Sequence, residues 1–177
     1  MTTLYLFPTA QEAVGLLSLH PEMEPQVGFI GVGMAEAGAG AAALIAEHRP
    51  HRVVLCGIAG ACSRELNVGD VVQVISDKVS GLPEQYGVEY RSCAVEGLAS
   101  VRSITVSRTG EAQPAEEDMP CIEQMEGAAV AAACKALGVE EYYHFRAISN
   151  YVDDPRSAWR ISDAVEALAK AVAALRF

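Results

Sequence analysis

Apolar positions along the chain fall into short β-prone runs that alternate with longer alanine-rich stretches of helical spacing. TLYLF (residues 3–7) is the first such run. Pro8 ends it, and QEAVGLLSL behind it has the spacing of a helix. VGFIG (27–31) predicts a second strand, followed by a glycine turn and an alanine-rich helix that stops at Pro50. RVVLCGIAGA (52–61) is continuously apolar and closed by glycines, the pattern of a strand buried on both faces of a mostly parallel sheet. NVGDVVQVISDKVS (67–80) carries another strand after a Gly-Asp turn.

Between residues 81 and 120 the pattern weakens. VRSITVSRT (101–109) is the one strand-like run there, and GEAQPAEEDMP reads as an exposed acidic loop. IEQMEGAAVAAACKALGV (122–139) then predicts a strand end running into a helix of small apolar side chains. YYHFRAIS (142–149) predicts a further strand, NYVDDPRS an irregular turn, and Trp159 to Leu175 an amphipathic helix. Strands alternating with helices imply one α/β domain over residues 1–177, with a central, twisted, mostly parallel sheet flanked by helices in three layers. Ligands of such domains bind where strands end and loops diverge. Glu12, the GIAGA turn and RAISN fall at such ends.

Charge narrows the partner. The formal net charge is -10, and no run of Lys or Arg offsets it, which disfavours a phosphate backbone or an anionic membrane and favours a small molecule. MTTLYLFPTA has no basic region of the kind that opens a secretory signal, and the longest small-apolar run is far short of the ~20 residues that span a bilayer. A cytosolic protein is expected. The five cysteines show no metal-ligand spacing and read as reduced structural thiols, and none of the four histidines is given a role. No metal and no cofactor is expected.

Several residues have both a plain and a chemical reading. GVGMAEAG follows a strand and opens a helix but lacks the third glycine of a dinucleotide fingerprint, so its glycines read as a tight turn with close backbone approach. At GIAGA, backbone N–H groups around Ala59 and Gly60 can face a ligand oxygen. Glu126 opens an otherwise apolar helix. The helix macrodipole alone can justify a carboxylate there, by ~0.3–1 kcal/mol, but a desolvated one needs a partner that the sequence does not reveal. Asn150 can be a turn former or an amide that donates to and accepts from a ligand.

Taken in order, GIAGACSRELNVGDVV, IEQMEGAAVAAACKALGV and FRAISNYVDD resemble the purine nucleosidase and nucleoside phosphorylase family, which includes methylthioadenosine/S-adenosylhomocysteine nucleosidase. Within it PTAQEA, MEGAAVA and ISN followed by DPRSAWRIS are most similar to the futalosine hydrolase branch. The resemblance implies a nucleoside phosphorylase-like fold, in a chain shortened around residues 19–28 and 80–120. It further implies cleavage of the N-glycosidic bond between a purine and ribose, and a homo-oligomer.

Residue by residue, it implies that Glu12 handles the attacking water, Glu126 holds the ribose hydroxyls, Met125 packs under the sugar, and Ala59, Gly60 and Ser107 contact substrate. Ser107 belongs to TVSRTGEAQ, the remnant of a base-contacting loop. Asn150 stands where adenine-specific members have an Asp. An amide cannot be a general acid but can donate to a purine nitrogen, which favours a 6-oxopurine such as futalosine, of menaquinone biosynthesis. Arg52 lies at the wrong end of its strand to hold phosphate and Arg64 beyond the turn, so hydrolysis is favoured over phosphorolysis. An adenine nucleosidase, a phosphorylase and a nucleoside-binding protein without catalysis are the alternatives. Replacing Glu126 by Gln is expected to cripple turnover at little cost in stability.

Overall fold

In the computed structural model, which describes residues 2–112 and 119–175, the predicted alternation becomes four helices around one mixed sheet. The strands are β1 (Thr3–Phe7), β2 (Val27–Phe29), β3 (Arg52–Ala61), β4 (Val71–Val79), β5 (Glu89–Arg91), β6 (Ala99–Thr105), β7 (Cys121–Gln124) and β8 (Glu141–Tyr151). The helices are α1 (Ala10–Leu19), α2 (Met34–His48), α3 (Gly127–Ala136) and α4 (Ile161–Ala174). Most pairings are parallel: β1 with β2 and β3, β3 with β8, β4 with β6, and β6 with β7. The antiparallel pairs are β3 with β7, β4 with β5, and β4 with β8.

Period-two alternation sorts the core into two layers. Leu4 and Leu6 of β1 and Val53 and Leu55 of β3 face α2 and α3. Tyr5, Phe7, Val54 and Cys56 face α1 and α4. Both faces of these strands are covered, as the unbroken apolar run in β3 predicts. The far end of the sheet does something the pattern does not show. β3, β8, β4, β6 and β7 hydrogen-bond in a closed circuit, and Ala59, Val72, Val74, Val101, Ile122 and Ile148 form a third apolar cluster there.

GIAGA is therefore the end of β3, not a turn. Opposite it, β8 carries a bulge. Ala59 pairs with Ile148 but Gly60 with Asn150, so Ser149 is the extra residue. A bulge re-aims the side chains around it, and this one sits where the site is built.

β5 is a strand the sequence pattern does not predict, and Trp159 precedes α4 instead of opening it. Part of the acidic segment 110–120 lies outside the described residues. Among the described residues no helix is long and apolar enough to cross a membrane.

Candidate active site

Glu12 reaches the site through the capping of α1. Thr9-Ala10-Gln11-Glu12 has the capping-box pattern, and Thr9 Oγ1 accepts from the Glu12 N–H at 3.3 Å. The Glu12 carboxylate returns to the side chain of the cap residue and not to its backbone N–H. It accepts from the Thr9 hydroxyl at 2.7 Å and, across the cleft, from the Ile58 N–H of β3 at 3.0 Å. One backbone N–H of the GIAGA stretch is thereby taken by Glu12, next to the Ala59 and Gly60 positions expected to face a ligand. The side chain makes no ion pair among the described residues, and burial pushes its pKa up, against the opposing pull of Arg146 and these hydrogen bonds.

Glu126 is the N-cap residue of α3, yet its side chain does not cap that helix. One oxygen accepts from Arg146 Nη2 at 3.2 Å and the other from the Gly33 N–H at 3.2 Å. Gly33 is itself the N-cap of α2, at φ 86°, so the glycine turn brings an unpaired helix-end N–H onto the carboxylate. Glu126 is only 4% exposed, and Arg146 is the partner that its burial requires.

Arg146, 1% exposed in the middle of β8, is the hub. Its Nε donates to His144 Nε2 at 2.8 Å, Nη1 to the Ile58 carbonyl at 3.1 Å, and Nη2 also to Gln124 Oε1 at 3.2 Å. His144, given no role by the sequence, is thereby a neutral acceptor. Burial and the adjacent guanidinium hold its pKa well below the usual value.

On the far side of the bulge Asn150, 2% exposed, accepts from the Ser149 hydroxyl at 2.8 Å and donates to the Tyr151 carbonyl at 2.8 Å. The second amide N–H has no partner among the described residues, and Asn150 lines the cavity. Glu12, Met125, Glu126, Ala59, Gly60 and Asn150 all line a cavity of about 180 Å³.

No family model matches this chain, and no curated protein matches it. Solved structures do. A mutant futalosine hydrolase of Helicobacter pylori superposes with a TM-score of 0.81 at 15% identity, over 98% of this chain and 97% of that one. A mutant methylthioadenosine/S-adenosylhomocysteine nucleosidase of the same organism, holding 5'-methylthioadenosine in its active site, gives 0.79 at 14% identity, over 97% and 96%. The corresponding Neisseria meningitidis nucleosidase with methylthio-immucillin-A gives 0.77 at 19% identity, over 97% and 96%. The fold is the nucleoside phosphorylase-like fold.

In this nucleoside phosphorylase-like frame, Ser107 stands apart from the other expected residues: it is exposed and does not line the cavity, whereas its neighbours Val106 and Thr109 do. The strand β6 ends at Thr105, and the chain beyond turns outward. That loop is held by Glu123 of β7, which accepts from Gly110 N at 2.6 Å and Ala112 N at 3.1 Å. Arg52 sits at the opposite end of β3, bonded to Glu141, and Arg64 is exposed against Asp153.

Trp159 and Arg156 complete the wall. The Arg156 guanidinium lies 4.1 Å from the centre of the indole, whose buried Nε1 has no partner among the described residues. The residues that sequence reading passed over, Arg146, Gln124 and Glu123, share one signal: each is a polar or charged side chain inside a strand otherwise buried on both faces.

Proposed function

We propose that this protein hydrolyses the N-glycosidic bond of a purine nucleoside, with a 6-oxopurine nucleoside such as futalosine as the favoured substrate. The observation that carries the reading is a pair of buried carboxylates in one cavity held in opposite ways. Glu126 is ion-paired to Arg146, whereas Glu12 has only hydrogen bonds and a pKa raised by burial. Two carboxylates kept in different environments take different tasks, one holding its charge and the other moving a proton.

As the C1'–N9 bond breaks, positive charge builds on the ribose and negative charge on the base. Glu126 accepts from the ribose hydroxyls and faces the developing cation, with Met125 against the sugar. Glu12 takes a proton from the water whose oxygen bonds to C1'. The free N–H of Asn150 donates to the departing purine, which then takes up a proton from solvent. An amide cannot supply that proton itself, and this supports a leaving group that departs as a stabilised anion over one that must first be protonated.

Water, not phosphate, is the acceptor this cavity suits. Glu12, Glu123 and Glu126 line it, and Arg146 is already engaged by Glu126, Gln124, His144 and Ile58. Following free base from futalosine, inosine and methylthioadenosine, with and without phosphate, tests the proposal. Phosphate-independent release of hypoxanthine is expected. Release only with phosphate, or from methylthioadenosine in preference, overturns the substrate or the acceptor. Val32, 52% exposed in the cavity wall, and Phe29, 49% exposed just before it, support a second copy of the chain packing beside the site. Sedimentation of the purified protein would show a single-chain species if that were wrong.

A further inference from the structure

Behind Arg146 lies a polar cluster that the catalytic reading does not use. Asp77 of β4, 3% exposed, accepts from the Thr105 hydroxyl at 2.9 Å and from Gln124 Nε2 at 3.0 Å. Asp77, Ser103 and Thr105 do not line the cavity. A buried carboxylate with no cation bonded to it among the described residues, one layer below the arginine of the cavity, calls for a reason.

The reason is the orientation of one amide. Gln124 Oε1 receives three donors: Arg146 Nη2 at 3.2 Å, Glu126 N at 2.7 Å and Gly127 N at 2.6 Å. Its Nε2 faces Asp77 Oδ2, Ser103 Oγ at 3.0 Å and Thr105 Oγ1 at 2.7 Å. The Thr105 hydrogen is committed to Asp77, and its oxygen also accepts from Ala128 N at 3.0 Å. Asp77 can only accept when ionised, so the Gln124 NH₂ must point at it and the carbonyl at Arg146. Turned over, the amide would set its NH₂ against three N–H donors.

Gly127 belongs to the same device. A Cβ there would lie 2.2 Å from Asp77 Oδ2, 2.6 Å from His144 Cε1 and 2.8 Å from Gln124 Nε2, so even an alanine has no room while Asp77 is in place.

We infer that Asp77 is a positioning residue which, by orienting the Gln124 amide, sets Arg146 and through it the Glu126 carboxylate for the reaction. This rests on the nucleosidase reading above. The test exploits polarity. Asp77→Leu removes the acceptor and Gln124→Glu sets a second carboxylate against Asp77, whereas Asp77→Asn combined with Gln124→Glu restores a donor–acceptor pair: the introduced asparagine amide donates, and the introduced glutamate carboxylate accepts from both that amide and Arg146.

Each single variant is expected to lower kcat for base release by roughly 10–100-fold, as misplacement by about 1 Å does, and the double to recover to within about tenfold of wild type. A merely structural role gives losses that add. Gly127→Ala should match the loss of Asp77→Leu. Single variants with wild-type kcat, or a double that is slower than either single or does not fold, overturn the inference. Wild-type protein that releases base from none of the nucleosides sinks the nucleosidase reading, and this inference with it.

Discussion

Glu126→Gln is the most informative single change. The Glu126–Arg146 pair is 3.2 Å long, with side chains 5% and 1% exposed. Each carboxylate oxygen accepts from a different donor, Arg146 Nη2 or Gly33 N. A glutamine offers one acceptor, so whichever way it turns, its NH₂ meets a donor. Sequence alone leads to the expectation that the change barely touches stability, whereas the buried ion pair leads to the expectation of a measurable cost.

Abandoning a buried ion pair costs about 3–5 kcal/mol, but Arg146 keeps His144, Ile58 O and Gln124 as acceptors, which brings the figure down to roughly 1–3 kcal/mol. In a domain of this size that lowers Tm by roughly 2–12 °C. Turnover loses the charge that faces the developing ribose cation, a fall of ~10²–10³ in kcat/KM. Calorimetry and a base-release assay read the two effects separately. A variant with wild-type turnover would refute the ribose role, and one with wild-type Tm would refute the ion pair as a contributor to folding.

Glu12 must be ionised to accept a proton, so activity should fall as pH drops through a midpoint above the ordinary 4.5; an acid limb below that value in a kcat/KM profile contradicts the role. Glu12→Gln should likewise abolish base release with little change in nucleoside affinity by calorimetric titration. Asn150→Asp should shift the ratio of base release from futalosine toward methylthioadenosine. Gly57→Ala places a Cβ 2.5 Å from Arg146 Nη1 and 3.0 Å from Glu12 Oε1, and should depress kcat without touching any ligand. Burial raises the Asp77 pKa from 3.8 to about 6. The folded protein therefore holds a proton that the unfolded chain has released, and this contribution to stability is lost as pH rises through that window. Melts of wild type and Asp77→Asn should accordingly diverge in favour of the wild type at the acid end of the window, relative to neutral pH. Parallel melting curves would contradict the assignment.

The frame of the molecule was legible wherever local pattern and tertiary demand coincide. The bounds of β1 and β3 follow from their apolar runs, β1 closed by Pro8, and α2 ends where Pro50 requires. β5 was not legible: three residues with an exposed, charged pattern become a strand only because β4 offers an edge. The resemblance marked Glu12, Met125, Glu126 and Asn150, and folding gathers them around one cavity with Ala59 and Gly60; it leaves Ser107 outside, because the chain turns away after β6.

What sequence by itself determined is the alternation of strands and helices, the two-sided burial of β3, and the presence of unpaired carboxylates where an apolar pattern breaks. Hydrophobic periodicity is local and survives without knowing which strand meets which. What tertiary structure alone decided is whom those carboxylates meet. Arg146 lies 20 residues from Glu126, Gly33 93 residues, and Ile58 46 residues from Glu12. Buried charge is compensated by partners that are near in space, and nothing in the local pattern of a chain records which distant residues folding will bring within hydrogen-bonding reach.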